Sequence, residues 1–200
     1  MRLLGTTTSP YTRKIRILLN AIGRPYEFLD TRSKEGMALL TEVAPLGKIP
    51  VLIADDGATT STTVLADSSL ITHCLWGAQP DTLRASGWDL DPLAWDDRAL
   101  QVVVEGTLDA AINHRYLRQD GFADAGYIAK QRQRVERTLT WLDGRFVFRR
   151  QLGAAALSLG CALDWIVFRN VVELSRWPGL MTFREAWIRS GIASGTEPQE

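Results

Sequence analysis

The fold class predicted for this chain is an α/β unit followed by an all-helical one, and three observations predict it. Residues 1–78 alternate short β-rich runs with segments of helical apolar spacing. A polar, turn-rich stretch follows, "AQPDTLRASGWDLDP". From Leu93 onward every periodic segment has helical spacing, and no strand-like run bounded by turns is found.

Each element has its own signal. Residues 1–6 read as a short strand. "SPYTRKIRILLNAIG" sets Ile15, Leu18, Leu19 and Ile22 on one helical face, with Pro10 in the opening turn and Gly23 as C-cap. "PYEFLD" is a second strand, parallel to the first because a helix connects them. Residues 34–43 form a short helix before the Pro45-Leu46-Gly47 turn. "PVLIADDGATTSTTVLA" reads as a hairpin around Asp55-Asp56-Gly57, and "DSSLITHCLWG" as a helix opened by Asp67 or Ser68. The order β-α-β-α-β-β-α makes one domain of residues 1–78, then a linker at 79–88 and a helical domain at 89–200. Its helices are expected at 93–118, 122–142, 158–174 and 179–189, with "RWPGL" separating the last two. The tail "SGTEPQE" reads as mobile or docked by local contacts alone.

Composition narrows the partners. Apolar residues make up 46% of the chain, and 23 basic residues balance 23 acidic ones, so there is no uniform positive field to select nucleic acid or anionic membrane. A small-molecule partner is expected. "KQRQRVER" reads as a solvated helix face. Cys74 and Cys161 are too few for a disulfide framework, and with His73 and His114 show no ligand-like spacing, so no metal is expected. "LGAAALSLGCALDWIVF" is shorter than the ~20 residues of a membrane span and carries Asp164. With no secretory signal in "MRLLGTTTSPYTRK", a reduced, cytoplasmic setting is expected.

Three local features carry chemistry. In "PLGKIPVL" a proline opens a strand, which leaves backbone groups facing outward whether the bond is cis or trans. Ser9 precedes Pro10 at a helix start, a position for an N-cap or for a hydroxyl aimed at an anion. Asp67-Ser68 stands at another helix start and admits the same two readings.

"SPYTRKIRILL", "APLGKIPVL" and "ADSSLITHCL", followed by "EGTLDAA", "QRQRVERTLTWLD", "LSLGCALDWIVFR" and "WPGLMTFREAW", occur in the order found in one family. On these the chain resembles the cytosolic glutathione S-transferase superfamily, of a bacterial type with serine at the active position. The resemblance implies a thioredoxin-like N-terminal domain and an all-α C-terminal domain. It implies that Pro50 is cis and that the Ile49 main chain pairs with the cysteinyl part of glutathione, as a peptide adds to a free backbone edge. Asp67 would meet the γ-glutamyl ammonium and Ser68 its carboxylate; Lys34 and Lys48 are candidates for the glycyl carboxylate or ordinary surface lysines. Ser9 would donate to the thiolate, since a free thiol of pKa near ~8.5 is only slightly ionised at neutral pH.

Tyr11, Arg115 and Tyr116 would line the electrophile pocket between the two units. The implied function is transfer of glutathione, as co-substrate, to an electrophilic small molecule by a cytoplasmic homodimer. The alternative is a transferase-like fold acting as a non-catalytic binding or regulatory protein, and other glutathione-dependent reactions fit the same site.

Two departures from the family pattern stand out. The capping box of the buried helix is matched best by Ser158-Leu159-Gly160-Cys161, where Cys161 replaces the acid, so Cys161→Asp is expected to stabilise. The hairpin at 55–66 reads as longer than usual.

Overall fold

A computed structural model describes residues 1–55, 62–122 and 126–200, and these divide into two compact units: Met1–Pro92 with Ala193–Glu200, and Leu93–Ile192. The expected lengthening of the hairpin falls largely on residues 56–61, outside the described residues.

The first unit is built on a four-stranded sheet of order β2-β1-β3-β4, made of β1 (Arg2–Gly5), β2 (Glu27–Asp30), β3 (Val51–Asp55) and β4 (Thr62–Ala66). β1 and β2 are parallel, with helix α1 (Pro10–Ala21) connecting them, whereas β3 runs antiparallel to both β1 and β4. Alternation of side chains sorts the apolar residues onto two faces. Leu4, Val51 and Ile53 form a core cluster with Leu40 and Ala44 of the α2 segment (α2, Lys34–Val43), while Leu3 and Leu52, paired across the sheet, are equally buried on the other face. α1 buries Ile15, Leu18 and Leu19 completely, as its spacing predicts, and packs against α3 (Ser68–Ala78). The stretch read as a linker carries a short helix, α4 (Pro80–Ala85), and the fully buried Trp88.

The chain's last eight residues return to this unit. Thr196 is buried, and its hydroxyl accepts from Arg13 Nε at 3.2 Å and donates to the Ala193 carbonyl at 2.6 Å. Arg16 donates to the Gly195 carbonyl at 3.1 Å, and Thr7 donates to the Gln199 carbonyl at 2.7 Å. The tail is therefore held by contacts distant in sequence and not by local ones alone.

The second unit contains α5 (Trp95–Gln119), α6 (Gly126–Leu142), α7 (Ala154–Phe168), a 3-10 turn at Leu174–Arg176 and α8 (Pro178–Ser190). α7 is buried on nearly every side, and its one charge, Asp164, accepts from Arg184 Nε at 2.7 Å and from Trp187 Nε1 at 3.1 Å. Among the described residues no helix is long and apolar enough to cross a membrane.

One expectation is corrected here. α7 begins four residues before Ser158, with Gly153 at the N-cap position, and neither Gly153 nor Ala156 has a side chain able to cap. The cap comes from α5 instead: Asp97 accepts from the amides of Ala154 at 2.7 Å and Ala155 at 3.3 Å. Ser158 lies inside the helix and donates to Glu105 Oε1 at 3.0 Å. Cys161 is buried at 1% exposure, so it stands in the core and not at a cap.

Candidate functional site

The sheet register gathers the candidates of the first unit. Leu4 pairs with Val51, Val51 with Ala66, and Gly5 with Asp30. The segments leaving or entering the sheet at that end are the 6–9 loop before α1, Ile49-Pro50 before β3, Asp67-Ser68 after β4, and the turn after Asp30 that leads to Lys34. One end of one sheet thus collects Ser9, Ile49, Pro50, Asp67, Ser68 and Lys34, although they come from four separate stretches of sequence.

Ser9 is the N-cap of α1. Its Oγ accepts from the Thr12 amide at 3.2 Å, its own amide donates to the Thr6 carbonyl, and its backbone is extended. An oxygen used as an acceptor keeps its O–H for donation elsewhere. No acidic residue stands in the first turn of α1, so the positive end of the helix is not neutralised there by its own side chains. Gly5 lets the helix come this close to the strand, because a Cβ at Gly5 would meet the Thr12 side chain at 2.4 Å.

The Ile49–Pro50 peptide bond is cis. Pro50 is buried, and the half-buried Ile49 packs on the core cluster formed with α2. Lys48 and Lys34 are both exposed.

Asp67 has φ +80°, a left-handed conformation that side-chain-bearing residues seldom adopt. It is exposed, and its Oδ1 accepts from the amides of Ser69 at 2.7 Å and Leu70 at 3.2 Å. Oδ1 makes both of these capping bonds. Ser68, buried at 4% exposure, is the first residue of α3, and its carbonyl accepts from the Thr72 hydroxyl at 2.8 Å.

A network that the sequence reading missed borders this end of the sheet. Arg32 binds both carboxylate oxygens of Asp30, at 2.7 Å for the shortest contact, and donates to the Thr7 hydroxyl at 3.1 Å. The Arg32 hydrogen bonds hold the Asp30 carboxyl below its usual range, and Asp30 in return raises the guanidinium. The Thr7–Gln199 bond joins the tail to the same network. Asp30 two residues ahead of Arg32 is a local signal, but the tail residue is not one.

Of the side chains expected around an electrophile, Tyr11 belongs to the first unit, half-buried with the Lys14 ammonium 5.3 Å from its ring centre. Arg115 and Tyr116 belong to the second. Arg115 is half-buried and donates to the Arg169 carbonyl at 3.4 Å, while Tyr116 is 56% exposed.

Residues 3–82 match the family Glutathione S-transferase, N-terminal domain. Over 180 residues the chain is 27% identical to the uncharacterized GST-like protein YibF of Escherichia coli K12, covering 86% of this chain and 84% of the relative. A glutathione S-transferase from Methylobacillus flagellatus KT, solved with glutathione bound, superposes with a TM-score of 0.81 at 26% identity over 99% of both chains. A glutathione transferase family member from Pseudomonas fluorescens Pf-5, also with bound glutathione, gives 0.78 at 26% identity over 100% of this chain and 99% of that one.

Proposed function

We propose that this protein, whose residues 3–82 match the glutathione S-transferase N-terminal domain and whose fold is that of the superfamily, binds glutathione and transfers it to an electrophilic small molecule. The carrying observation is the register that brings the Ser9 helix start, the cis Ile49–Pro50 bond and the Asp67-Ser68 helix start to one end of the sheet. The solved relatives that bind glutathione support the ligand.

In this reading the Ile49 main chain pairs with the cysteinyl backbone of the tripeptide. The Asp67 carboxylate takes the γ-glutamyl ammonium, Ser68 and the α3 amides take the adjoining carboxylate, and Lys34 and Lys48 serve the glycyl carboxylate. The Ser9 hydroxyl, oriented by the Thr12 amide, donates to the sulfur, and the positive end of α1 favours the anion. The thiol loses its proton to solvent, the sulfur pair forms a bond to the electrophilic carbon, and the displaced group leaves with its own pair. Tyr11, Arg115 and Tyr116 are the side chains offered to the electrophile. The cytoplasm is the setting that keeps glutathione reduced, and the working form is a homodimer.

Calorimetric titration with glutathione tests the roles. Wild type binds, Asp67→Ala loses binding, and Ser9→Ala binds but lacks the ultraviolet absorbance of the thiolate. Absence of binding by wild type overturns the reading and leaves a protein of this fold with a non-catalytic role.

A further inference from the structure

Thr6, Thr7 and Thr8 carry the chain from β1 to Ser9. The Ser9 amide closes this turn on the Thr6 carbonyl at 3.2 Å, which makes Thr7 and Thr8 its central residues. Glycine, proline, asparagine and aspartate are the residues that specify such turns, and threonine does so only weakly. Within the turn the Thr6 and Thr8 hydroxyls share a bond of 3.2 Å. Local sequence therefore holds the loop loosely, although the loop places the cap of α1.

Thr7 ties it from outside. Its hydroxyl accepts from Arg32 Nη2 at 3.1 Å and donates to the Gln199 carbonyl at 2.7 Å, so its one proton is committed to the tail. Terminal residues stay poorly ordered unless they are tied down, and this tail is tied down just ahead of Gln199. Thr196 is buried against Arg13, and Arg16 donates to the Gly195 carbonyl at 3.1 Å and to the Thr196 carbonyl at 3.4 Å. Arg13 and Arg16 belong to α1, the helix that Ser9 caps. Between that anchor and Gln199 stand Glu197 and Pro198, and the fixed φ of proline leaves so short a span little freedom. Asp30 chiefly, and Glu200 to a smaller extent, raise the Arg32 guanidinium against its desolvation, so the last residue favours the same attachment.

We propose that residues 196–199 are a strap on the Ser9 loop, and that Thr7 is the positioning residue through which the strap fixes the Ser9 hydroxyl. The strap starts from an anchor on α1 and ends on the loop ahead of that helix, so it resists movement of one relative to the other. A donor aimed at a sulfur anion is worth most when it is held in place before the anion forms. The effect on the thiolate rests on the glutathione reading above, whereas the hold on the loop is a property of the free chain.

Amide exchange of the free chain, followed by NMR, tests that hold. The Ser9 amide, bonded to Thr6, and the Thr12 amide, bonded to Ser9 Oγ, report on the loop, while Leu18 and Leu19 report on the rest of α1. Thr7→Val keeps the shape of the residue and removes both outer bonds, so exchange at Ser9 and Thr12 quickens by about fivefold and that at Leu18 and Leu19 does not change. Pro198→Gly loosens the strap alone and quickens the same two amides by about two- to threefold. In the Thr7→Val background it adds nothing, and Thr7→Ser, which keeps the hydroxyl, exchanges as wild type. At saturating glutathione and neutral pH, Thr7→Val lowers the thiolate fraction read by ultraviolet absorbance by about threefold, and Thr7→Ser leaves it unchanged. Exchange that is unaltered in Thr7→Val, or that quickens in Thr7→Val but not in Pro198→Gly, overturns the strap. Quickened exchange with an unaltered thiolate fraction overturns the role of Thr7 in positioning Ser9. Failure of wild type to bind glutathione overturns the reading of the site, and exchange in the free chain still decides the strap.

Discussion

Asp97 and Gly153 act as a pair at the start of α7. A Cβ at Gly153 would meet the Asp97 carboxylate at 2.4 Å, so the glycine is what lets the acid reach the Ala154 and Ala155 amides. Loss of a helix cap costs ~0.5–2 kcal/mol. Asp97→Ala should therefore lower the denaturant midpoint, and Gly153→Ser should lower it too by crowding the acid. In combination the signs differ: in an Asp97→Ala background the serine at 153 has room and supplies its own cap, so Gly153→Ser raises the midpoint there. A double-mutant cycle that shows simple additivity would refute the pairing. Cys161→Asp, expected from sequence to restore a box, instead buries a carboxylate in the core and should destabilise by at least about 2 kcal/mol.

At the scale of elements, the tail and α1 form one assembly. Thr196 accepts from Arg13, whose side chain is itself buried, and Arg16 donates to the Gly195 and Thr196 carbonyls. Thr196→Val keeps the shape of the residue and removes a partner from a buried guanidinium, which by the usual cost of an unmade bond is about 1–3 kcal/mol. Hydrogen exchange at the first turns of α1 should quicken with it, because the same helix carries the Ser9 cap. An unchanged midpoint together with unchanged exchange would show that the tail contributes nothing to α1. Local signals explain what could be read here. α2 was legible at 34–43 and α5 within two residues at either end, because their apolar spacing, and for α2 the Ser33 cap, lie within the window of sequence they occupy. The start of α7 was not, since its cap lies 57 residues away, and the docking of the tail, which joins residues 183 apart, was equally hidden. The candidate site follows the same division. Ser9, Pro50 and Asp67 each announce themselves by a helix start or a strand-opening proline, whereas the Arg32–Thr7 contact beside them joins residues 25 apart and has no local signal.

At the scale of the whole molecule, the balanced charge removes a general repulsion between copies, so association is decided by surface pattern. α5 carries such a pattern. Trp95, Ala99, Val102, Gly106 and Asp109 recur at helical spacing and are all exposed, with Trp95 at 73% and Val102 at 71%. Single exposed apolar residues need no explanation, but a stripe along one helix face is the kind of surface that a partner covers. Two copies of one stripe can meet about a two-fold axis with each serving the other, so the homodimer proposed above requires no further complementary surface. Light scattering on the purified chain should then give twice 22.3 kDa. Val102→Arg places a charge in the middle of that stripe on each copy, so it should return the chain to 22.3 kDa while far-ultraviolet circular dichroism keeps its helical signal. A wild-type mass of 22.3 kDa at micromolar concentration would mean that the stripe is simply solvent-facing, and a Val102→Arg chain that remains a dimer would move the interface to another face.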